Sequence, residues 1–98
     1  MNNAPDKGLL VITASNGENL KLADRFATHA KAFGQNAEVL DLTRIDLPLF
    51  TPRAQDCGIP AAVAPLQQQL MNAARWVICA PEYNGSIPPS LTNAIAWL

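Results

Sequence analysis

The stretch LLVITASNGENLKLADRFATHAKAFG, residues 9–34, decides the fold class. Leu9, Leu10, Val11 and Ile12 form a short unbroken apolar run, the pattern of a strand covered on both faces, as in a parallel sheet. A polar loop, 13–19, follows it. Leu22, Ala23, Phe26, Ala27, Ala30 and Phe33 then recur at three- and four-residue spacing, with Lys21, Asp24, Arg25 and Lys31 between them. That spacing predicts an amphipathic helix closed by Gly34. Strand, loop and helix in this order open a βαβ unit.

The rest of the chain continues the alternation. Residues 37–42, with Val39, Leu40 and Leu42, predict a second strand, followed by an irregular segment broken by Pro48, Pro52 and Pro60. From Ala61 onward, Val63, Leu66, Leu70 and Ala73 make a second helical stripe that tolerates Pro65 only in its first turn. Residues 76–80 predict a third buried strand. Strands alternating with helices favour an α/β class, with a parallel sheet, helices on both faces and right-handed crossovers.

At 98 residues, 49% of them apolar and 15% charged, the chain has room for one packed domain and is not composed like a disordered segment. The formal net charge is -1, and the seven Lys and Arg are scattered, so no basic stripe is present to follow a phosphate backbone and no nucleic acid is expected. Residues 1–7 are polar and lack the apolar stretch of a secretory signal, and no apolar run is long enough to cross a bilayer. A soluble, cytoplasmic protein with no membrane partner is expected.

Cys57 and Cys79 form no CxxC, and His29 has no metal-ligand spacing to either, so neither a metal nor a disulfide is expected. Cys79 reads as a buried, reduced core thiol, and Cys57 as a loop thiol open to exposure. His29 shares a stripe with Leu22, Phe26 and Phe33 and reads as a packed or half-buried histidine. Trp76 and Trp97 read as packing residues first, with Trp97 also a candidate for a subunit contact. Glu38, Asp41 and Asp46 show no paired-carboxylate spacing.

In an open α/β sheet ligands gather at the carboxyl ends of the strands, which directs attention to two loops. The first, TASNGENL (13–20), combines the Thr13 and Ser15 hydroxyls, Gly17 and Asn19 directly before a helix, a setting that suits a phosphate. Equally, Ser15, Asn16 and Asn19 could simply cap the helix, and Glu18 opposes an anion unless its side chain turns away. Neither GxGxxG nor GxxxxGK[ST] is present, so a dinucleotide fingerprint and a P-loop have no support. The second loop, PEYNGSIPP (81–89), offers a ring, amides and a close-approaching glycine, which suit a flat heteroaromatic ligand, although an ordinary Pro- and Gly-rich turn reads the same way.

The segment PEYNGSIPPSLTNAIAWL (81–98) resembles the signature of the NADPH-dependent FMN reductase family, which includes quinone, azo-dye and chromate reductases. That signature usually runs PEYN, a small residue with Pro, then LKNAIDWL. Asp41-Leu42 followed by LPLF (47–50) is similar to the family's segment after its second strand. The resemblance implies a flavodoxin-like three-layer αβα fold holding FMN noncovalently. Carried over by position, Thr13, Ser15, Asn16, Gly17 and Asn19, with Leu20 beside them, would frame the phosphate. Pro81, Glu82, Tyr83, Asn84, Gly85 and Ser86 would line the flavin, mainly through backbone groups. It also implies hydride transfer from NADPH or NADH through the flavin to a small acceptor such as a quinone, an azo compound or free flavin, with no side chain as a covalent catalyst.

Several positions depart from the family pattern. The first loop is shorter, has Ala14 where Gly is usual, and holds no Arg or Lys over 13–20, which brings it nearer to a plain flavodoxin loop. Thr92 stands where Lys is usual and Ala96 where Asp is usual. Residues 1–98 are therefore expected to form the N-terminal portion of a single flavodoxin-like domain, ending after the third strand and the start of the next helix. A sheet ended there leaves an edge and an apolar face open, so the chain is expected to be a fragment or to be completed by another chain. A homo-oligomer is what the resemblance implies. Two other readings stand beside the reductase: an FMN-binding electron carrier or module without its own turnover, and a partly folded remnant that exposes apolar surface and binds nothing tightly.

Overall fold

Strand β1, Leu9–Thr13, lies between β2, Ala37–Asp41, and β3, Arg75–Cys79, and pairs in parallel with both in a computed structural model that describes residues 8–81 and 87–98. In register, Val11 faces Val39 on one side and Val77 on the other. Gly8 enters this centre under tight constraint, because a Cβ there would collide with the carbonyl of Asn36. Successive side chains of β1 serve opposite faces. Val11 joins one buried cluster, while Leu10 and Ile12 join the other. This is the flavodoxin-like αβα arrangement, with the two-faced apolar run as its cause.

Helix α1, Glu18–Ala32, covers the first face. It ends where expected, with Gly34 in the left-handed region at φ 83°, the N–H of Gln35 reaching the Ala30 carbonyl and that of Gly34 the Lys31 carbonyl. The buried side of the helix is narrower than the predicted stripe. Ala23 and Ala27 are buried with Val11, Ala37 and Cys79, and Ala30 packs at the margin. Leu22 and Phe26 are nearly half exposed, Phe33 is 86% exposed, and His29 lies in the open as well, which corrects its reading as a packed histidine. A helix resting on alanines sits close to the sheet, and the bulky residues one step round its circumference are turned off it.

On the second face, α3, Val63–Met71, and α4, Pro89–Trp97, pack Leu66, Leu91 and Ala94 against Leu10, Ile12 and Leu40. Pro65 falls in the first turn of α3, as its chemistry requires. The segment read as irregular holds more structure than expected. Leu42, assigned to the second strand, belongs to a 3₁₀ turn, Leu42–Arg44, capped by the Asp41 carboxylate accepting from the Thr43 N–H at 2.9 Å. A five-residue helix α2, Pro52–Asp56, starts with Thr51 as its cap and Pro52 at its first position. Between them, residues 48–50 are held by α4. Asn93 accepts from the Phe50 N–H at 2.7 Å and donates to the Pro48 carbonyl at 3.0 Å. Trp97 donates to the same carbonyl at 2.7 Å and meets the Phe50 ring edge-on at 5.1 Å. Trp97 is thus a core residue, whereas Trp76 is 55% exposed and uses its indole N–H on the Leu70 carbonyl at the end of α3.

Candidate functional site

The order β2-β1-β3 makes the chain leave β1 toward one face and β3 toward the other. α1 follows β1 on the alanine side, and α4 follows β3 on the opposite side. The carboxyl ends of β1 and β3 are therefore the topological switch point, the place where ligands bind in sheets of this kind. Thr13 sits level with Cys79, and the Ala14 N–H donates to the Cys79 carbonyl at 3.0 Å, so the two loops leave the sheet side by side.

The first loop is ordered by hydroxyls. Thr13 is fully buried, and its Oγ1 donates to the Ser15 carbonyl at 2.6 Å while facing the Ser15 N–H at 3.4 Å. The Gly17 carbonyl accepts from Leu20 and Lys21. Gly17 is the N-cap of α1 and supplies no side chain, so the expectation that Ser15, Asn16 or Asn19 caps this helix is not met. Among the described residues no side chain caps the first-turn N–H groups, at the positive end of a fifteen-residue helix. Glu18 is drawn along the helix surface to Lys21 at 3.1 Å, leaving the turn without net charge. Ser15, Asn19 and Leu20 are half-buried, and Asn16 and Gly17 are exposed. With the Ser15 and Gly17 carbonyls held within the loop and the N–H groups of residues 16–19 unpaired among the described residues, the donor set suits an anion, and a phosphate monoester fits it.

Of the second loop, Pro81 is half-buried directly beyond β3. Glu82, Tyr83, Asn84, Gly85 and Ser86 lie outside the described residues. The helix after this loop contributes a contact that the sequence reading did not single out. Ser90, in the first turn of α4, donates from Oγ to the Ala14 carbonyl at 3.0 Å. No pattern in the sequence joins residues 76 positions apart; the only local signal is a hydroxyl in the first turn of the helix that follows the loop.

Elsewhere the chain offers less. Cys79 is a free thiol, buried, with its pKa raised by that burial, so it stays protonated and unreactive at neutral pH; Cys57 is free and exposed. Among the described residues no cluster of His, Cys, Asp or Glu could hold a metal, and no helix is long and apolar enough to cross a membrane. An open cavity of about 540 Å³ lies at the opposite, amino end of the strands, lined by Gly8, Lys31, Asn36, Glu38, Gln69 and Asn72.

Comparison with known proteins gives a consistent result. The profile of the NADPH-dependent FMN reductase family matches residues 8–98. A quinone reductase of Escherichia coli is 46% identical over 54 residues, covering 54% of this chain and 29% of that protein. An NAD(P)H-dependent FMN reductase of Pseudomonas aeruginosa is 34% identical over 64 residues, 65% of this chain and 34% of that protein. A subunit, CrdA, of the NADH:(hydroxy)cinnamate reductase of Vibrio ruber is 33% identical over 93 residues, 91% of this chain and 44% of that protein. The chain thus spans less than half the length of these relatives. No solved structure matches it.

Proposed function

The chain belongs to the NADPH-dependent FMN reductase family, and from that premise we propose that it holds FMN at the carboxyl end of its sheet as part of an NAD(P)H oxidoreductase acting on a small acceptor. The observation that carries this reading is the uncapped N-terminus of α1, with the carbonyls of Ser15 and Gly17 tied inward beside it. When bound, the flavin supplies the redox chemistry, taking a hydride from NAD(P)H and passing electrons to the acceptor.

The protein's own part is positioning. Backbone N–H groups over residues 15–19 take the phosphate, with Thr13 fixing their orientation from below and Leu20 closing the side. The segment 81–86 would line the flavin, mainly through backbone groups. Quinones are the acceptor class we favour, since the relative with the highest of these identities is named a quinone reductase; azo compounds and free flavin are the alternatives. In this reading the chain works in the cytoplasm as a homo-oligomer, with residues 1–98 forming the N-terminal portion of a single domain.

A second reading, an FMN-holding module that passes electrons within a larger assembly and has no turnover of its own, is favoured by the match over most of this chain to a named reductase subunit. One assay separates them. The chain is loaded with FMN and supplied with NADPH or NADH, with and without a benzoquinone. Steady oxidation of the nicotinamide that depends on the quinone is expected of the reductase. A flavin-loaded protein that oxidises neither nucleotide supports the module instead.

A further inference from the structure

We propose that Ser90 is a positioning residue for the cofactor phosphate: its hydroxyl fixes the 14–15 peptide so that the Ser15 N–H faces the anion. The proposal rests on the FMN reading above. Its basis is the geometry of one peptide group. The Ser90 Oγ–H holds the Ala14 carbonyl at 3.0 Å. The peptide is trans, so the N–H of Ser15 must point to the opposite side. There it meets the Thr13 hydroxyl in a long hydrogen bond of 3.4 Å, which a phosphate oxygen at ordinary range would replace. On the other side of Ala14, the N–H is fixed to the Cys79 carbonyl at 3.0 Å.

Ala14 is therefore fastened at both of its peptide groups, to β3 through one and to α4 through the other. Without the Ser90 hydroxyl the Ala14 carbonyl has no other partner among the described residues, and a rotation of the 14–15 peptide brings an oxygen's negative end toward the anion in place of a donor. Thr13 does the corresponding work one residue later, through the Ser15 carbonyl. Two hydroxyls from different elements thus hold adjacent carbonyls of the same loop. Because Ser90 is in the first turn of α4, the same bond also ties the start of that helix to the first loop.

The test uses two flavins that differ only in the phosphate. The wild-type chain and its Ser90→Ala and Ser90→Thr variants are titrated with FMN and with riboflavin, following flavin fluorescence, and amide spectra of the ligand-free proteins are recorded. Ser90→Ala should weaken FMN about five- to tenfold, the affinity equivalent of one hydrogen bond, and leave riboflavin within about twofold of wild type. It should also move the Ser15 amide resonance, and Ser90→Thr, which keeps the hydroxyl, should restore both. An equal loss for the two flavins assigns Ser90 to the fold alone and overturns the proposal, as does an Ala variant that binds FMN like wild type. A wild-type chain that binds neither flavin refutes the FMN reading itself, and this inference falls with it.

Discussion

The two faces of the sheet are packed on different terms. Under α1 the contacts are made by Ala23, Ala27 and Ala37 with Val11 and Cys79, small residues that bring helix and strands close together. Under α3 and α4 the contacts are made by Leu10, Ile12, Leu40, Leu66 and Leu91, and polar latches from Asn93, Trp97 and Ser90 reach out to the loops. The first face leaves large side chains outside, with Leu22, Phe26 and Phe33 exposed. The second buries larger residues, yet Met71 of α3, Ile95 of α4 and Trp76 and Ile78 of β3 are exposed there as well. The difference teaches that the loops at the carboxyl end are organised from the α4 side, while α1 supplies chiefly its free N-terminus.

Substitutions can break this contrast in order of size. Trp97→Ala removes a ring that is only 7% exposed together with its hydrogen bond to Pro48 and its contact with Phe50. A loss of about 3–5 kcal/mol is expected, read from the midpoint and slope of urea unfolding. On the other face Ala27→Leu forces a large side chain into a close helix–sheet contact and should cost about 1–3 kcal/mol by overpacking. Phe33→Ser, just beyond the end of α1, should change stability by no more than about 0.5 kcal/mol, because that ring is already in the open. A Phe33 variant that destabilised as much as Ala27→Leu would mean that the exposed side of α1 is covered in solution.

Much of this fold was legible in the sequence because the signals were periodic. The run 9–12 and the stripe that ends at Gly34 gave β1 and α1 through burial on two faces and a glycine in the left-handed region. The stripe could not show which half of itself was buried. Leu22 and Phe26 are more hydrophobic than Ala23 and Ala27, yet close approach to the sheet selects the alanines, and so His29 was misplaced with the bulky set. The helix α2 escaped notice because five residues are too short for periodicity, and only Thr51-Pro52 marks its start. At the site, the first loop was found from its residue types and its place before α1. The use of Gly17 rather than a polar side chain as the cap depends on where the helix begins, which composition does not fix. Ser90 was invisible because its partner is fixed only by the packing of α4 onto the sheet.

The central claim is that FMN binds at the carboxyl end of β1 and β3, on the first turn of α1. The most direct measurement is a titration of the isotope-labelled chain with FMN, following every backbone amide. Saturable shifts should be largest over residues 15–19 and at the residues adjoining Pro81, with Asn36 and Asn72 at the opposite end of the strands unmoved. Shifts centred on the cavity around Asn36, Gln69 and Asn72, or no saturable shifts anywhere, would contradict it.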